Sequence, residues 1–291
     1  VLVFNGLTFP EAVAKFLAEQ RGINVVTHEV SFQPFSSFFS AGHATAYPIN
    51  IPDNFELNDA QNAKLDEYLS KRFKGDFTMA GIKFWPDFQE LDDAFMEKMC
   101  SFDQMVTVFT NVIFDTSQVH ANTLFPDMFA WLNDLLTFIK SNPNTLFVIR
   151  AHPDEKRPGK TSREAVSDWV AENKVKDLPN VVFYDSTEYV SSYDLIHKSK
   201  FIMVFNSSIG LEAVLMGKAV LCAGKARYTQ YPIVNLPESR EQFKEWFKEF
   251  LAADEVCLPD EYLENGRKFI YYQLYRASLS FERYLSRHPQ Q

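Results

Sequence analysis

Near the amino end, short apolar runs alternate with a segment of helical spacing. The runs Val1–Phe4 and Ile23–Thr27 predict two strands of the buried, parallel type. Four residues between them form one apolar helix face: Ala12, Val13, Phe16 and Leu17. Thr8 with Glu11 three residues later predicts a capping box at the start of this helix. We therefore expect residues 1–27 to form a βαβ unit that buries its first strand and this helix face.

From residue 104 onward the alternation is regular. Five apolar runs predict strands: Met105–Thr110, Leu146–Arg150, Val181–Tyr184, Phe201–Phe205 and Ala219–Cys222. Helical spacing separates them, most clearly over Leu124–Lys140. Such an alternation is typical of a doubly wound parallel sheet in an α/β protein. Helices are also predicted over Glu238–Ala252 and Pro259–Ser286.

This pattern predicts a division at residues 103 and 258. The expected parts are an amino-terminal domain with its connection (1–103), a second domain (104–258) and a terminal helical segment (259–291). The first residue lies inside an apolar run and is not Met, so we expect the first domain to be incomplete. Residues 31–60 read as a long irregular loop, in which Phe35, Phe38, Phe39 and His43 either line an acceptor pocket or, as we prefer, pack onto their own domain.

The segment 201–224 carries the strongest candidate chemistry. A strand is followed by Asn206, Ser207 and Ser208, and then by a helix that contains Gly210 and Glu212. In parallel α/β units ligands bind beyond the carboxyl ends of strands, where these serines would lie. Hydroxyls, free helix amides and a glycine suit a phosphate, and Glu212, one helical turn on, is placed for sugar hydroxyls. The alternative is that either serine is only a helix N-cap.

Other polar residues follow the remaining strands. The predicted site at the edge of the second sheet also includes Asn111, His152, Pro153, Ser186, Thr187 and Lys225. In the first domain His28 and Glu29 end the second strand, and Glu29, then His28, is our candidate for a general base. A solvated strand end is the alternative for that pair.

Composition narrows the classes of function. The chain is 46% hydrophobic with 28 Phe, which indicates a globular protein, and its net charge of −9 argues against nucleic acid as a partner. The three cysteines lie far apart without metal-ligand spacing, so we expect reduced thiols and no metal site. Neither a signal peptide nor an apolar run of membrane-spanning length is visible, which favours a cytoplasmic location, with peripheral membrane association left open.

Three common motifs are absent from the sequence. There is no GxxxxGK[ST] loop, no GxGxxG after a strand and no GxSxG elbow. These absences disfavour a P-loop nucleotidase, a dinucleotide oxidoreductase and an α/β-hydrolase, respectively.

Three segments carry a family resemblance: NGLTFPEAVAKFLAEQRGINVVTHE, VIRAHP and FNSSIGLEAVLMGKAVLCAGKARY. Over residues 1–29 and 104–228 the chain resembles the bacterial capsule polysaccharide biosynthesis family, which includes transferases of CMP-activated Kdo and is related to polysialyltransferases. The resemblance implies a GT-B architecture of two Rossmann-like domains. It also implies that His152, Ser207 and Ser208 hold the donor's nucleotide phosphate, that Glu212 contacts a ribose hydroxyl, and that the acceptor meets Glu29 and the 31–50 loop.

The resulting expectation is a glycosyltransferase of surface or capsular polysaccharide biosynthesis. Its donor is a nucleotide-activated sugar, with a CMP-linked one favoured, its acceptor is a glycan or lipid-linked glycan, and it needs no further cofactor. Two alternatives stay open at this point. One is a nucleotide-binding partner of an assembly or export complex without catalysis, and the other is a sugar-nucleotide epimerase or glycerophosphotransferase of the same fold.

Overall fold

The computed structural model describes residues 1–74, 89–115, 117–156 and 162–285. They form two compact units: one from the described residues of 1–86 and 267–291, the other from those of 87–266. The first boundary between the units, at residues 86 and 87, therefore lies earlier in the chain than the boundary predicted at residue 103. Helix α3 (Asp93–Cys100) belongs to the second unit because Phe95 packs on Tyr184 and Lys98 donates to the Val181 carbonyl. The predicted connection over residues 75–88 lies outside the described residues.

The first unit contains a four-stranded mixed sheet. Its elements are β1 (Leu2–Phe4), α1 (Glu11–Gln20), β2 (Val26–Val30), β3 (Ser36–Ser40), α2 (Asp59–Phe73) and β9 (Leu279–Ser280). The strand order is β1-β2-β3-β9, with β1 and β2 parallel and the other pairs antiparallel. The βαβ unit predicted for residues 1–27 is thus confirmed. The loop predicted over 31–60 contains β3, and part of the predicted terminal helix is β9.

The predicted burial of this βαβ unit is wrong. Leu2 and Phe4 of β1 are about half exposed, and on α1 Phe16 is 57% exposed. The helix packs instead through Lys15 and Ala18. The aliphatic part of Lys15 lies beside Gly6, where an added Cβ would be 3.3 Å from Lys15 Cδ and 3.0 Å from Thr27 Cγ2. The helix also begins after Pro10, without a side-chain cap from the described residues, so the Thr8 capping box does not form.

Helix α10 (Asp260–Tyr275) begins in the second unit and continues into the first. Its later part packs on α2, where Arg267 donates to Asn62 and pairs with Asp66 at 2.8 Å. Tyr275 lies under the ammonium of Lys64 at 3.8 Å. These contacts place residues 267–275 with the first sheet, so the second predicted division, at residue 258, falls later in the chain.

The second unit is built on a five-stranded parallel sheet. Its strands are β4 (Gln104–Phe109), β5 (Thr145–Arg150), β6 (Val181–Tyr184), β7 (Phe201–Val204) and β8 (Val220–Cys222). Its helices besides α3 are α4 (Gln118–Ala121), α5 (Met128–Ser141), α6 (Val166–Glu172), α7 (Ser192–Lys198), α8 (Ile209–Leu215) and α9 (Arg240–Ala252). The order is β6-β5-β4-β7-β8, so the chain winds outward from β4 first to one edge and then to the other.

Both faces of this sheet are covered, as the doubly wound prediction requires. Alternate strand residues such as Phe147 and Phe201 pack against α5, α6 and α9, where Phe247 is fully buried. The intervening residue Thr107 faces the other side and hydrogen-bonds Ser199 after α7. Continuous burial on two faces explains why these strands are unbroken apolar runs in the sequence.

Across the part of the chain that is described, no helix is long and apolar enough to span a membrane. Within the same residues no group of three or more His, Cys, Asp or Glu side chains is arranged to hold a metal ion.

Candidate functional site

The strand order defines a crevice between β4 and β7. The chain leaves β4 toward β5 on one side and, after β6, returns to β7 on the other, which makes this pair the topological switch point. Asn111 follows β4 and Asn206 follows β7. The backbone N–H of Asn206 donates to Oδ1 of Asn111 at 3.3 Å, so the two strand ends meet here. Ligands of open α/β sheets bind at this kind of position.

Ser207 and Ser208 directly follow this junction. Ser208 is exposed and occupies the N-cap position of the seven-residue helix α8, yet its hydroxyl makes no capping hydrogen bond within the described chain. Ser207 is buried, and its carbonyl accepts a 2.7 Å hydrogen bond from the hydroxyl of Tyr228. A Cβ on Gly210 would lie 2.3 Å from that hydroxyl, so a glycine is needed beside it. Tyr228 therefore holds the turn formed by Ser207 and Ser208, called the serine turn below. The hydroxyl of Ser208 is not used for capping.

Glu212 lies one turn into α8 and is 7% exposed. Its Oε2 accepts a 2.6 Å hydrogen bond from the hydroxyl of Tyr193 in α7. This contact orients the carboxylate and occupies one of its oxygens. The predicted ribose contact stays a prediction.

His152 follows β5 and is oriented by its own turn. Its Nδ1 accepts the backbone N–H of Asp154 at 3.1 Å, so in the neutral imidazole the proton lies on Nε2, which makes Nε2 the hydrogen-bond donor. The turn Pro153–Lys156 is tied to α6 by Glu155, whose Oε1 accepts the N–H of Val166 at 2.8 Å. Burial raises the pKa of Glu155 to about 7.

Arg150, the last residue of β5, is 2% exposed. Its Nη1 donates to the carbonyls of Ala151 at 2.6 Å and Asp185 at 3.2 Å. Desolvation lowers its pKa to about 10, so the guanidinium is charged at neutral pH. The Asp185 carboxylate pairs with Lys156 at 2.7 Å, and that partner helps hold its pKa below the usual value although burial acts in the opposite direction.

The remaining predicted residues lie along the same edge of the sheet but not in one cluster. Ser186 and Thr187 follow β6, three strands from β7, or about 14 Å at the usual strand spacing. The Ser186 hydroxyl donates to Asp185 Oδ1 at 3.1 Å. Lys225 is exposed after β8, the other edge strand, and its N–H donates to the carbonyl of Ala121. Asn111 and the serine turn are therefore brought together, and Lys225 follows the strand next to β7, where the N–H of Gly224 donates to the Phe205 carbonyl, whereas Ser186 and Thr187 lie at the far edge of the sheet.

In the first unit, His28 and Glu29 do not end β2 as predicted, because β2 continues to Val30 and both pair with β3. Adjacent strand residues point to opposite faces of a sheet, so the two side chains are separated. Glu29 Oε1 accepts a 2.6 Å hydrogen bond from Asn5, which follows β1 in the left-handed region at φ 60°. His28 instead packs between Phe4 and Phe39, with ring centroids 5.3 and 5.4 Å away.

The contacts of the 31–60 segment support the interpretation that its aromatic residues pack onto their own domain, and not the one in which they line an acceptor pocket. Phe38 is buried and stacks on Tyr47 at 5.1 Å. Nδ1 of His43 lies 3.2 Å from the ammonium of Lys15.

Sequence reasoning missed four residues that shape these sites: Asn5, Tyr193, Tyr228 and Gln118, whose Nε2 donates to Oδ1 of Asn206. Asn5 alone has a local signal, since Asn followed by Gly after an apolar run is typical of a turn with positive φ. The other three act through contacts between residues 19 or more positions apart, which no local pattern encodes.

The doubly wound parallel sheet and its switch point give the second unit a Rossmann-type fold. The model of the capsule polysaccharide biosynthesis protein family matches residues 86–246, more than half of the chain. The chain belongs to this family. Protein FixF of Sinorhizobium fredii (strain NBRC 101917 / NGR234) is 26% identical over 246 residues, which are 80% of this chain and 50% of FixF. The chain thus spans about half the length of this curated relative.

Two solved structures share the fold. One is Thermosulfurimonas dismutans KpsC described as a beta Kdo 2,4 transferase, with a TM-score of 0.60 and 13% identity over 92% of this chain and 78% of that chain. The other is KpsC from the same organism described as a beta Kdo 2,7 transferase, with a TM-score of 0.50 and 16% identity over 91% and 74%. These likenesses confirm the predicted α/β, GT-B-like fold class.

Proposed function

We propose that this chain is a glycosyltransferase that takes a sugar from a nucleotide-activated donor, CMP-linked in our preferred form, in the synthesis of a capsular or surface polysaccharide. The observation that carries the proposal is the serine turn at the switch point, where Ser208 is exposed and its hydroxyl is not used for capping. Membership of the capsule polysaccharide biosynthesis family and the shared fold of the two KpsC structures support it.

The donor phosphate is assigned to the switch-point edge of the second sheet. Glycosyl transfer leaves negative charge on the departing phosphate, and donors held in place before the reaction stabilise that charge. Ser207, Ser208 and Nε2–H of His152 are the proposed donors, and the nearby charge of Arg150 favours an anion. Glu212, oriented by Tyr193, is proposed to accept from a ribose hydroxyl.

The acceptor role is assigned to the first unit. We propose Glu29 as the base that removes the proton of an acceptor hydroxyl on a glycan or lipid-linked glycan. Its position is set by Asn5, which donates to one carboxylate oxygen. His28 is not proposed for this step because it lies on the opposite face of the sheet.

Thermal unfolding with CMP, CDP, UDP, GDP and ADP tests the donor assignment. A ligand at 100 times its Kd adds about 2.7 kcal/mol, a shift of a few degrees for a protein of this size. We expect a shift with cytidine nucleotides that is lost in Ser208→Ala, whose unfolding midpoint without ligand stays near that of the wild type.

Ser191→Ala is the matched control. The hydroxyl of Ser191 accepts the N–H of Asp194 as the true cap of α7, so this variant loses about 1 kcal/mol of stability and keeps the nucleotide shift. A shift of the unfolding temperature with UDP or GDP instead would mean that the donor is a uridine- or guanosine-linked sugar. No shift with any nucleotide would refute the proposed function.

A further inference from the structure

Asn206 holds a buried hydrogen-bond donor at the switch point. The residue is 7% exposed, and its Nδ2 has no hydrogen-bond partner among the described residues. Buried amide groups are nearly always paired, since an unpaired one loses its hydrogen bonds to water and gains none in return. An unpaired donor at the place where ligands of this fold bind is therefore a candidate ligand contact.

The orientation of this amide is set by its neighbours. Oδ1 of Asn206 accepts from Nε2 of Gln118 at 2.9 Å, and the backbone N–H of Asn206 donates to Asn111. In this arrangement Oδ1 is engaged with Gln118, and the Nδ2 end of the amide is the one left without a partner among the described residues. The donor is fixed in place before any ligand arrives, one residue before the serine turn.

We propose that Nδ2 of Asn206 binds a phosphate oxygen of the nucleotide ligand. This inference rests on the proposed function and adds a specific contact to it. A phosphate oxygen is the assigned partner because the group lies beside Ser207 at the crevice between β4 and β7 and can only donate through Nδ2.

The substitution Asn206→Leu separates a binding role from a structural one. Leucine has a similar shape and removes the unpaired donor. The Gln118 amide is only partly buried and can turn toward water. We expect the unfolding midpoint of the ligand-free variant to be unchanged or raised. Titration calorimetry should show CMP binding at least tenfold weaker than in the wild type, with cytidine binding unchanged.

Asn180→Leu is the matched control, directly before strand β6 of the same sheet. Asn180 is 3% exposed, and its Nδ2 is fully engaged with the carbonyls of Ile139, Asn142 and Thr145. Its replacement should lower the unfolding midpoint and leave the Kd of CMP unchanged. Asn206→Asp, which keeps the acceptor for Gln118 and removes the donor, serves if Asn206→Leu does not fold, and it should also lose CMP binding.

The outcomes are distinct. CMP binding by Asn206→Leu at wild-type strength would overturn the inference and leave the proposed function standing. An equal loss of CMP and cytidine binding would also overturn it, because the contact would then be to the nucleoside. A wild-type chain that binds none of the five nucleotides would refute the proposed function before any variant is compared.

Discussion

The hydroxyl of Tyr228 donates a 2.7 Å hydrogen bond to the carbonyl of Ser207. Tyr228 is fully buried, and burial is the main reason why the pKa of its hydroxyl lies well above the usual value, so it acts as a neutral donor at any physiological pH. The space that this hydroxyl occupies is the space that a side chain on Gly210 would need.

Gly210→Ala should therefore disturb the serine turn. The new Cβ would clash with the Tyr228 hydroxyl, and displacing that hydroxyl removes the shorter of the two hydrogen bonds to the Ser207 carbonyl, the other coming from the N–H of Gly210. We expect a loss of about 2 kcal/mol in the free energy of unfolding and about tenfold weaker CMP binding. Urea unfolding and calorimetry measure the two effects.

Gly266→Ala is the control for a helix glycine. The nearest atoms to its Cβ are side-chain carbons at 3.5 Å or more, an ordinary contact distance. Alanine favours the helix by about 1 kcal/mol, so this variant should be more stable than the wild type. If Gly210→Ala and Gly266→Ala were equally stable, displacement of the Tyr228 hydroxyl would have no cost in the free energy of unfolding.

Glu29→Gln should reduce turnover with little effect on donor affinity. Loss of a general base typically lowers the rate by about 10²- to 10⁴-fold, and glutamine retains an acceptor for Asn5. His28→Gln is the neighbouring control, since His28 points to the other face, and its turnover should stay near that of the wild type. Rates under donor saturation test both variants. Normal turnover of Glu29→Gln would remove Glu29 from the mechanism.

The stability of the chain should depend on pH through Glu155. Burial raises its pKa from 4.5 to about 7, with Asp185 and Asp168 adding to the effect and Val166 N–H and Lys156 opposing it. Between these values the folded state keeps a proton that the unfolded state releases. The free energy of unfolding should therefore fall by about 3 kcal/mol as pH rises from 4.5 to 7, and this contribution should level off above 7.

Glu155→Gln removes that dependence because its side chain does not titrate, while its oxygen still accepts from Val166. The difference between the unfolding midpoints of the variant and the wild type should change steadily as the pH rises from 4.5 to 7. Glu67→Gln, in an exposed pair with Lys71, should keep the wild-type profile. Parallel curves for Glu155→Gln and the wild type would contradict the assigned ionisation.

Phe16→Ser should change the free energy of unfolding by less than about 0.5 kcal/mol, because the ring is 57% exposed. Phe247→Ala, at a fully buried position in the second unit, should cost about 3–5 kcal/mol. Chemical denaturation compares the two. A large loss in Phe16→Ser would mean that α1 packs through the face that the sequence predicts.

The contrast between α1 and the second sheet shows what a local pattern determines. Buried parallel strands must be apolar on both faces, so β4 to β8 are visible as continuous runs with polar residues at their ends. In α1 the apolar face is visible too, but the residues that pack are Lys15 and Ala18, and Lys15 lies beside Gly6, which lies outside the sequence pattern of the helix. Strand β3 was missed because its Ser-rich sequence lacks an apolar alternation.

The candidate site, too, could be predicted from the sequence only in part. Asn111, His152 and the serines follow from strand ends, which the sequence predicts. Which amide oxygen is engaged, and which donor is left unpaired, depends on contacts such as Gln118 with Asn206, 88 residues apart. Separations of that size are set by the completed fold and not by neighbouring residues.

The strand order also has a consequence for how the chain folds. Asn111 and Asn206 are 95 residues apart, and β5, β6 and their helices lie between β4 and β7 in the chain. Closing so long a loop makes this pairing a late, non-local event. A growing chain that has emerged only as far as β6 therefore contains three of the five strands of the second sheet and lacks the crevice between β4 and β7, so a ligand of that crevice can stabilise the second unit only in the final stage of its folding.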